Sequence, residues 1–239
     1  MSAEEILEEV TRILLWRKRP SRFFADIWSH HGWIPTRDQA QFLDDMGDIK
    51  NRFALITAGC GAGKSLTLAT LALWNATVLS RIEKRPIRTL IAGGSRKQSD
   101  VVYNYILDAI GNNTWMQDIL AGEPTRTVTR FTNGSWIMPV PCSYKSIWGE
   151  HPECLILDEA VLVDDKILVD AVFRIAPIHG SRLIICSTPY DYMSFFVDLL
   201  LDEEKYPQFR RYFWSVENVT WVSREAIEIA KNLPEDEYQ

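Results

Sequence analysis

The sequence is short of cysteine, histidine and positive charge, and each shortage narrows what the chain can do. Its four cysteines (Cys60, Cys142, Cys154, Cys186) include no C-x-x-C pair, and His30, His31, His151 and His179 show no metal-ligand spacing. Neither set points to a disulfide or metal framework, so reduced thiols in a reducing cytoplasm are expected. Lysine and arginine number 26 against 32 aspartate and glutamate, and the net charge of −6 argues against a uniformly basic nucleic-acid surface. The local run Arg17-Lys18-Arg19 with Arg22 reads as a solvated stretch between helices. No apolar run approaches membrane-spanning length, and a start carrying Glu4, Glu5, Glu8 and Glu9 is unlike a signal peptide. Internal repeats and low-complexity segments are missing as well.

What the chain does hold is core. At 239 residues, 46% of them apolar and nine of them tryptophan, it can bury a full core as one α/β domain with extensions. Residues 3–16 read as an amphipathic helix with Ser2 as its N-cap and Ile6, Val10, Ile13 and Leu14 on one face; Pro20 ends it. Further helices are expected at about 22–28 and 37–46. Strands and helices then alternate: strand 53–57, helix 64–80, strand 88–92 and helix 96–110. Strands at 127–131 and 135–140 flank Asn133-Gly134, a hairpin signal. Residues 154–157 and 183–186 are continuous apolar runs, as in strands buried on both faces, and 211–216 reads as a last strand. Such alternation predicts a mostly parallel sheet with helices on both sides.

The chemistry starts at Ala58-Gly59-Cys60-Gly61-Ala62-Gly63-Lys64-Ser65, between the strand at 53–57 and the helix that runs on through Leu66. Glycines let the backbone curl and aim its N–H groups at phosphate oxygens, the lysine meets the β- and γ-phosphates, and the hydroxyl after it serves Mg²⁺. A helix starting there adds its own attraction for anions. The first glycine of the usual G-x-x-x-x-G-K-[ST] pattern is Ala58 here, small enough for a strand end. The loop from Ala58 to Leu66 is therefore expected to bind a nucleoside triphosphate. A second motif, Leu155-Ile156-Leu157-Asp158-Glu159, ends a buried strand in two carboxylates. Asp158 is placed to share an Mg²⁺ shell with Ser65, and Glu159 to act as the general base on an attacking water. The doublet favours hydrolysis over transfer to a small acceptor, hence an ATPase. A third apolar strand ends in Ser187-Thr188-Pro189, whose hydroxyls are candidates to sense the γ-phosphate or to bond Glu159.

From about Pro35 onward the order of these pieces resembles the ATPase half of the large terminase subunit, the motor that packages DNA into viral procapsids. Pro35-Thr36-Arg37-Asp38-Gln39 is similar to the family's adenine-recognising glutamine segment, which implies that Gln39 reads the base. The stretch from Leu90 to Gln98, then Asn133-Gly134-Ser135 and Trp148-Gly149, follow the family layout, and Ser187-Thr188-Pro189 matches its coupling motif. The resemblance implies an α/β fold, a P-loop NTPase of the RecA-like (ASCE) kind with a mostly parallel central sheet flanked by helices. It implies Mg²⁺-dependent ATP hydrolysis that drives double-stranded DNA into procapsids. Its partners would be the procapsid portal protein, the small terminase subunit and further copies in a homo-oligomeric ring, in the host cell cytoplasm, with no membrane. Residues 1–34 are then an N-terminal helical extension and 35–218 the ATPase core. Residues 219–239 would be a connecting segment towards a nuclease domain of the same protein. Many relatives carry an arginine where this chain has Cys60, and another where it has Trp148. A charge-stabilising donor is therefore sought among Lys145, Arg96, Arg126, Arg130, Arg174 and Arg182, or on a neighbouring subunit. Two other classes stay open: a helicase-like ATPase on nucleic acid, and a nucleotide-gated assembly module with little turnover.

Overall fold

The computed structural model describes residues 3–143, 147, 151–175, 180–188, 194–219 and 221–231. Ser2, Lys145, Trp148, Gly149 and Pro189 lie outside the described residues.

Seven strands form one sheet: β1 (Phe53–Ala58), β2 (Arg88–Gly93), β3 (Thr129–Arg130), β4 (Trp136–Pro141), β5 (Cys154–Asp158), β6 (Arg182–Ser187) and β7 (Arg210–Trp214). Their order is β3-β4-β2-β5-β6-β1-β7, and every neighbouring pair is parallel except β3–β4. Alternate residues feed two cores. Ala54, Ile56, Ile91, Ile156 and Ile184 face one side, and Leu55, Leu90, Leu155, Leu157, Leu183 and Ile185 face the other. Burial on both faces explains the unbroken apolar runs of β5 and β6. Each such leucine or isoleucine contributes about 1.5–3 kcal/mol of transfer free energy.

The first side is covered by α1 (Ala3–Lys18), α2 (Pro20–Ile27), α3 (Arg37–Gly47), α4 (Lys64–Trp74) and α6 (Arg96–Gly111). The proline that ends α1 also opens α2, where its fixed φ suits the first helical position. The expected helix at 64–80 is one helical path interrupted by a π turn at Asn75–Leu79, followed by the short α5 (Ser80–Glu83). Both α3 and α6 begin in a capping box, Thr36 with Gln39 and Ser95 with Gln98. Residues before Pro35 belong to this same core. Trp16, Phe23, Phe24 and Trp28 are buried in it, Trp28 donates to Thr70 Oγ1 (2.9 Å), and Trp74 donates to Trp16 O (2.9 Å).

Four helices were not apparent from periodicity: α7 (Thr114–Asp118), α8 (Asp165–Ile175), α9 (Phe195–Leu201) and α10 (Arg224–Lys231). Helices α8 and α9 cover the second face of the sheet through Leu168, Ala171, Phe196 and Leu199. The hairpin at Asn133-Gly134 forms, with Gly134 at φ 84°, but β3 holds two residues and pairs only Thr129 with Ile137 and Arg130 with Trp136. β7 stops at Trp214 because Ser215 caps a 3₁₀ turn, Val216–Asn218. Among the described residues no helix is long and apolar enough to cross a membrane.

Candidate active site

Strand order builds the site. β6 lies between β1 and β5, so its carboxyl end separates the loop after β1 from the carboxylates after β5. Thr188, the residue just beyond β6, is within reach of both. Its hydroxyl accepts from Lys64 Nζ at 2.8 Å, and its backbone N–H donates to Glu159 Oε2 at 3.3 Å. Open parallel sheets place ligands at this edge, outside the carboxyl ends of their strands.

The loop after β1 curls through Gly61 and Gly63, both at positive φ, and enters α4 at Lys64. Gly63 has a second reason to be glycine: a Cβ there would stand 2.3 Å from Gln39 Nε2. Gln39 is wholly buried and braces the loop from behind. Its amide nitrogen donates to Ala62 O (3.3 Å) and Gly63 O (3.4 Å), while its oxygen accepts from Thr36 N (2.9 Å). Both ends of the amide are thus engaged within the protein, so contact with an adenine edge needs it to give up one of them. Lys64 is buried, with its ammonium also donating to Ala58 O (3.1 Å) and Gly59 O (3.2 Å) and standing 3.8 Å from Glu159 Oε1. An arriving phosphate has to replace some of these acceptors.

Asp158 and Glu159 diverge at the end of β5, as alternation requires. Asp158 points inward, 3% exposed, and Ser65 Oγ donates to its Oδ2 at 3.3 Å. Burial, then the neighbouring charge of Glu159, pushes the Asp158 carboxyl up to about 6, despite the opposing pull of Lys64. A carboxylate buried beside a serine hydroxyl and short of positive charge suits a hard divalent cation with oxygen ligands. Ser65 and Asp158 therefore fit Mg²⁺. Glu159 sits in the left-handed region at φ 52°, ψ 51°, uncommon for a residue with a Cβ. The turn after it is held by Leu162 N donating to Glu159 O (3.0 Å) and by Val161 N donating to Ser187 Oγ (3.1 Å). Ser187 thus fixes the turn that carries Glu159, whereas Thr188 touches the carboxylate itself. Pro189, the third residue of that motif, lies outside the described residues.

A cavity of about 500 Å³ opens over the loop, bounded by Cys60 to Leu66, Glu159 and Thr188. Its remaining wall is made by residues that sequence reasoning missed: Trp33, Val101, Tyr105 and Trp221. Trp221 follows the last strand, and its indole donates to Gly61 O at 2.8 Å. Trp221, beyond the expected core boundary at 218, is thus part of the site. Nothing in local spacing marks these four positions, because they come from three separate stretches that meet only in space.

Arg182 is buried, donates to Met46 O at 2.7 Å and lies over the Trp74 ring, at the amino end of β6 and away from the phosphate loop. It is a core residue. Arg96 is tied to Asp100 (2.7 Å) and to Arg126 O (2.8 Å), and Arg174 pairs with Asp170 on α8. Arg130 is on β3, five strand spacings from β1, or roughly 24 Å at about 4.8 Å each.

No protein-family model and no curated protein sequence matches the chain. Solved structures do. The chain is similar to the Thermus phage P74-26 large terminase ATPase domain at 15% identity, with TM-score 0.70, over 92% of this chain and 96% of that one. It is similar to the HK97 bacteriophage large terminase at 17% identity and TM-score 0.70, over 87% of this chain and 46% of that one. The large terminase of a thermophilic bacteriophage, solved in complex with ATP-gamma-S, aligns at 13% identity and TM-score 0.62, over 82% of this chain and 48% of that one. The chain thus spans about half the length of the complete large terminases it matches. At these identities the likeness establishes the fold alone: the α/β fold of large terminase ATPase domains, with a mostly parallel sheet flanked by helices and the phosphate loop after β1.

Proposed function

We propose that this protein is an ATPase of the large-terminase kind, hydrolysing ATP to power translocation of double-stranded DNA into procapsids. One observation carries the reading. Lys64, Ser65 and Glu159 line a nucleotide-sized cavity, Asp158 lies behind Ser65 and accepts its hydroxyl, and Thr188 is bonded to both Lys64 and Glu159. The backbone N–H groups around Gly61 to Ser65 and the start of α4 take the polyphosphate, with Lys64 on the β- and γ-phosphates. Ser65 and Asp158 would hold Mg²⁺, which neutralises charge on the phosphate oxygens when bound. Glu159 accepts the proton of the attacking water as that water adds to the γ-phosphorus, and ADP leaves with its β-phosphate oxygen. Thr188 is bonded to both Lys64 and Glu159, so a phosphate that draws Lys64 away would disturb Thr188, which supports a coupling role for Ser187, Thr188 and Pro189. Trp33, Tyr105 and Trp221 offer apolar faces for the base, and Gln39 a donor and an acceptor if its amide is released.

In this reading the working partners are DNA, the procapsid portal protein, the small terminase subunit, a nuclease domain and further copies in a ring, within the host cell cytoplasm. The similarity to large-terminase ATPase domains across nearly the whole chain supports it, and Cys60 stands at the place in the loop where an arginine would otherwise supply charge. A donor from a neighbouring copy would supply that charge. The test is ATP hydrolysis by wild type and Lys64→Ala, with and without double-stranded DNA and portal-bearing procapsids. Hydrolysis that depends on Lys64 and rises with DNA and procapsids is expected. Turnover unchanged in Lys64→Ala would refute the site, and turnover indifferent to both partners would refute the packaging role.

A further inference from the structure

The histidines show no ligand spacing along the chain, yet folding brings two of them to one carboxylate. His30 and His31 end the 3₁₀ turn Ser29–His31, and Asp108 lies in the last turn of α6, 77 residues beyond His31. His31 Nε2 is 2.8 Å from Asp108 Oδ2, and His30 Nε2 is 3.6 Å from the same oxygen. All three ligand atoms lie within 4.8 Å of one another. We propose that His30, His31 and Asp108 form a binding site for a divalent transition metal, of which Zn²⁺ is the best match.

The dimensions support this. Tetrahedral Zn²⁺ with bonds of about 2.0–2.2 Å sets its ligand atoms about 3.4 Å apart, a value bracketed by the observed 2.8 and 3.6 Å. Two imidazoles and one carboxylate leave a fourth position for water, the ligand number of an open zinc site. Imidazole nitrogen also separates this site from the Ser65–Asp158 pair, because Mg²⁺ prefers oxygen and Zn²⁺ accepts nitrogen. A hydrogen bond between His31 and Asp108 alone would not require His30 to aim at the same oxygen.

Two of the three ligands, His31 and Asp108, are held from behind. The His31 ring is stacked on Trp33 (4.2 Å between centroids, 20° between planes) and also packs near Trp28, which is itself anchored to Thr70. Asn112 Nδ2 donates to Asp108 Oδ1 at 3.1 Å, which leaves Oδ2 turned to the histidines. Outer partners of this kind orient ligands and raise affinity. A bound ion would clamp the turn after α2 to α6. Trp33 lies against that turn, and Val101 and Tyr105 stand on α6, so one wall of the nucleotide cavity would be held in place. The proposal does not depend on what that cavity binds.

The test uses the chelator-stripped full chain without nucleotide. Co²⁺ is titrated in as a visible probe and then displaced by Zn²⁺, with affinities taken from calorimetry. One Co²⁺ per chain with the intense bands of tetrahedral coordination is expected. His30→Ala, His31→Ala and Asp108→Asn are each expected to weaken binding by about 10–100-fold or more, since loss of an outer-shell partner alone costs that much. All three positions are partly exposed, so these variants should fold, and His151→Ala should bind as wild type does. Absence of the Co²⁺ bands overturns the site. So do bands that survive His31→Ala and vanish in Cys60→Ser, an outcome that puts the ion on the exposed thiol of the phosphate loop.

Discussion

Replacing Asp158 by asparagine should stabilise the nucleotide-free protein at neutral pH and do nothing for it in acid. Asp158 is 3% exposed, and its charge-compensating neighbour Lys64 is outweighed by burial and by Glu159. The rise from the ordinary 3.8 to about 6 corresponds to about 3 kcal/mol, at 1.36 kcal/mol for each tenfold change in proton affinity. The folded state therefore binds the proton more tightly than the unfolded chain. That contribution is fully present below pH 3.8 and is lost as the pH rises through about 6. Asparagine carries no charge at any pH. It can still accept from Glu159 N, now at 3.1 Å from Oδ1, and can donate to Ser65 Oγ. The variant should thus match wild type near pH 4 and exceed it by about 1–3 kcal/mol near pH 8, with the difference opening between those limits. At about 2–4 °C per kcal/mol for a chain of this length, the Tm gain at pH 8 is several degrees. Urea unfolding of both proteins from pH 4 to 8, with Mg²⁺ and nucleotide removed, measures it. A difference that is flat with pH, or a variant less stable than wild type at pH 8, would refute the reasoning.

Glu159→Gln keeps shape and hydrogen bonding but loses the base, so single-turnover hydrolysis should fall by about 10²–10⁴-fold with ATP affinity retained. Hydrolysis at the parent rate would place the base elsewhere. Gly63→Ala puts a Cβ at φ 78°, 2.3 Å from Gln39 Nε2 and 2.9 Å from Trp221, so nucleotide binding should be lost or severely weakened. Wild-type affinity in that variant, measured by calorimetry, would mean the loop differs from the one described. Gln39→Ala removes a buried brace and should weaken ATP binding. If Gln39 also reads the base, the ATP preference over GTP should shrink, whereas an unchanged ratio with weaker binding of both would leave it a brace alone. With the charge donor on a neighbouring copy, hydrolysis per subunit should climb with protein concentration as oligomers form, by up to about 10³–10⁵-fold. A rate independent of concentration across demonstrated assembly would count against a donor in trans.

The phosphate loop was legible because everything it needs is consecutive. Glycines, Lys64 and Ser65 lie between an apolar strand and an apolar helix, and each part is defined by its chain neighbours. The Asp158-Glu159 doublet was legible for the same reason, since a strand buried on both faces must be apolar until it ends. The hairpin at Asn133-Gly134 and the break at Pro20 are backbone rules of one or two residues. Helices α8 and α9 are not marked in the sequence because their apolar residues merge with neighbouring apolar stretches, which blurs the helical period.

What the tertiary structure decided depends on strand order, which no local spacing encodes. Because β6 inserts between β1 and β5, Thr188 meets Lys64 and Glu159, and Ser187 is left to hold the turn. Arg182 reads as an available cation in the sequence, but the amino end of β6 is buried against Met46 and Trp74. Trp33, Tyr105 and Trp221 join one cavity from segments far apart in the chain, and His30 and His31 meet Asp108 across 77 residues. Periodicity shows which face of an element is buried. Which other element covers that face is settled only when sheet and helices pack together, and there side chains with no relation in sequence become neighbours.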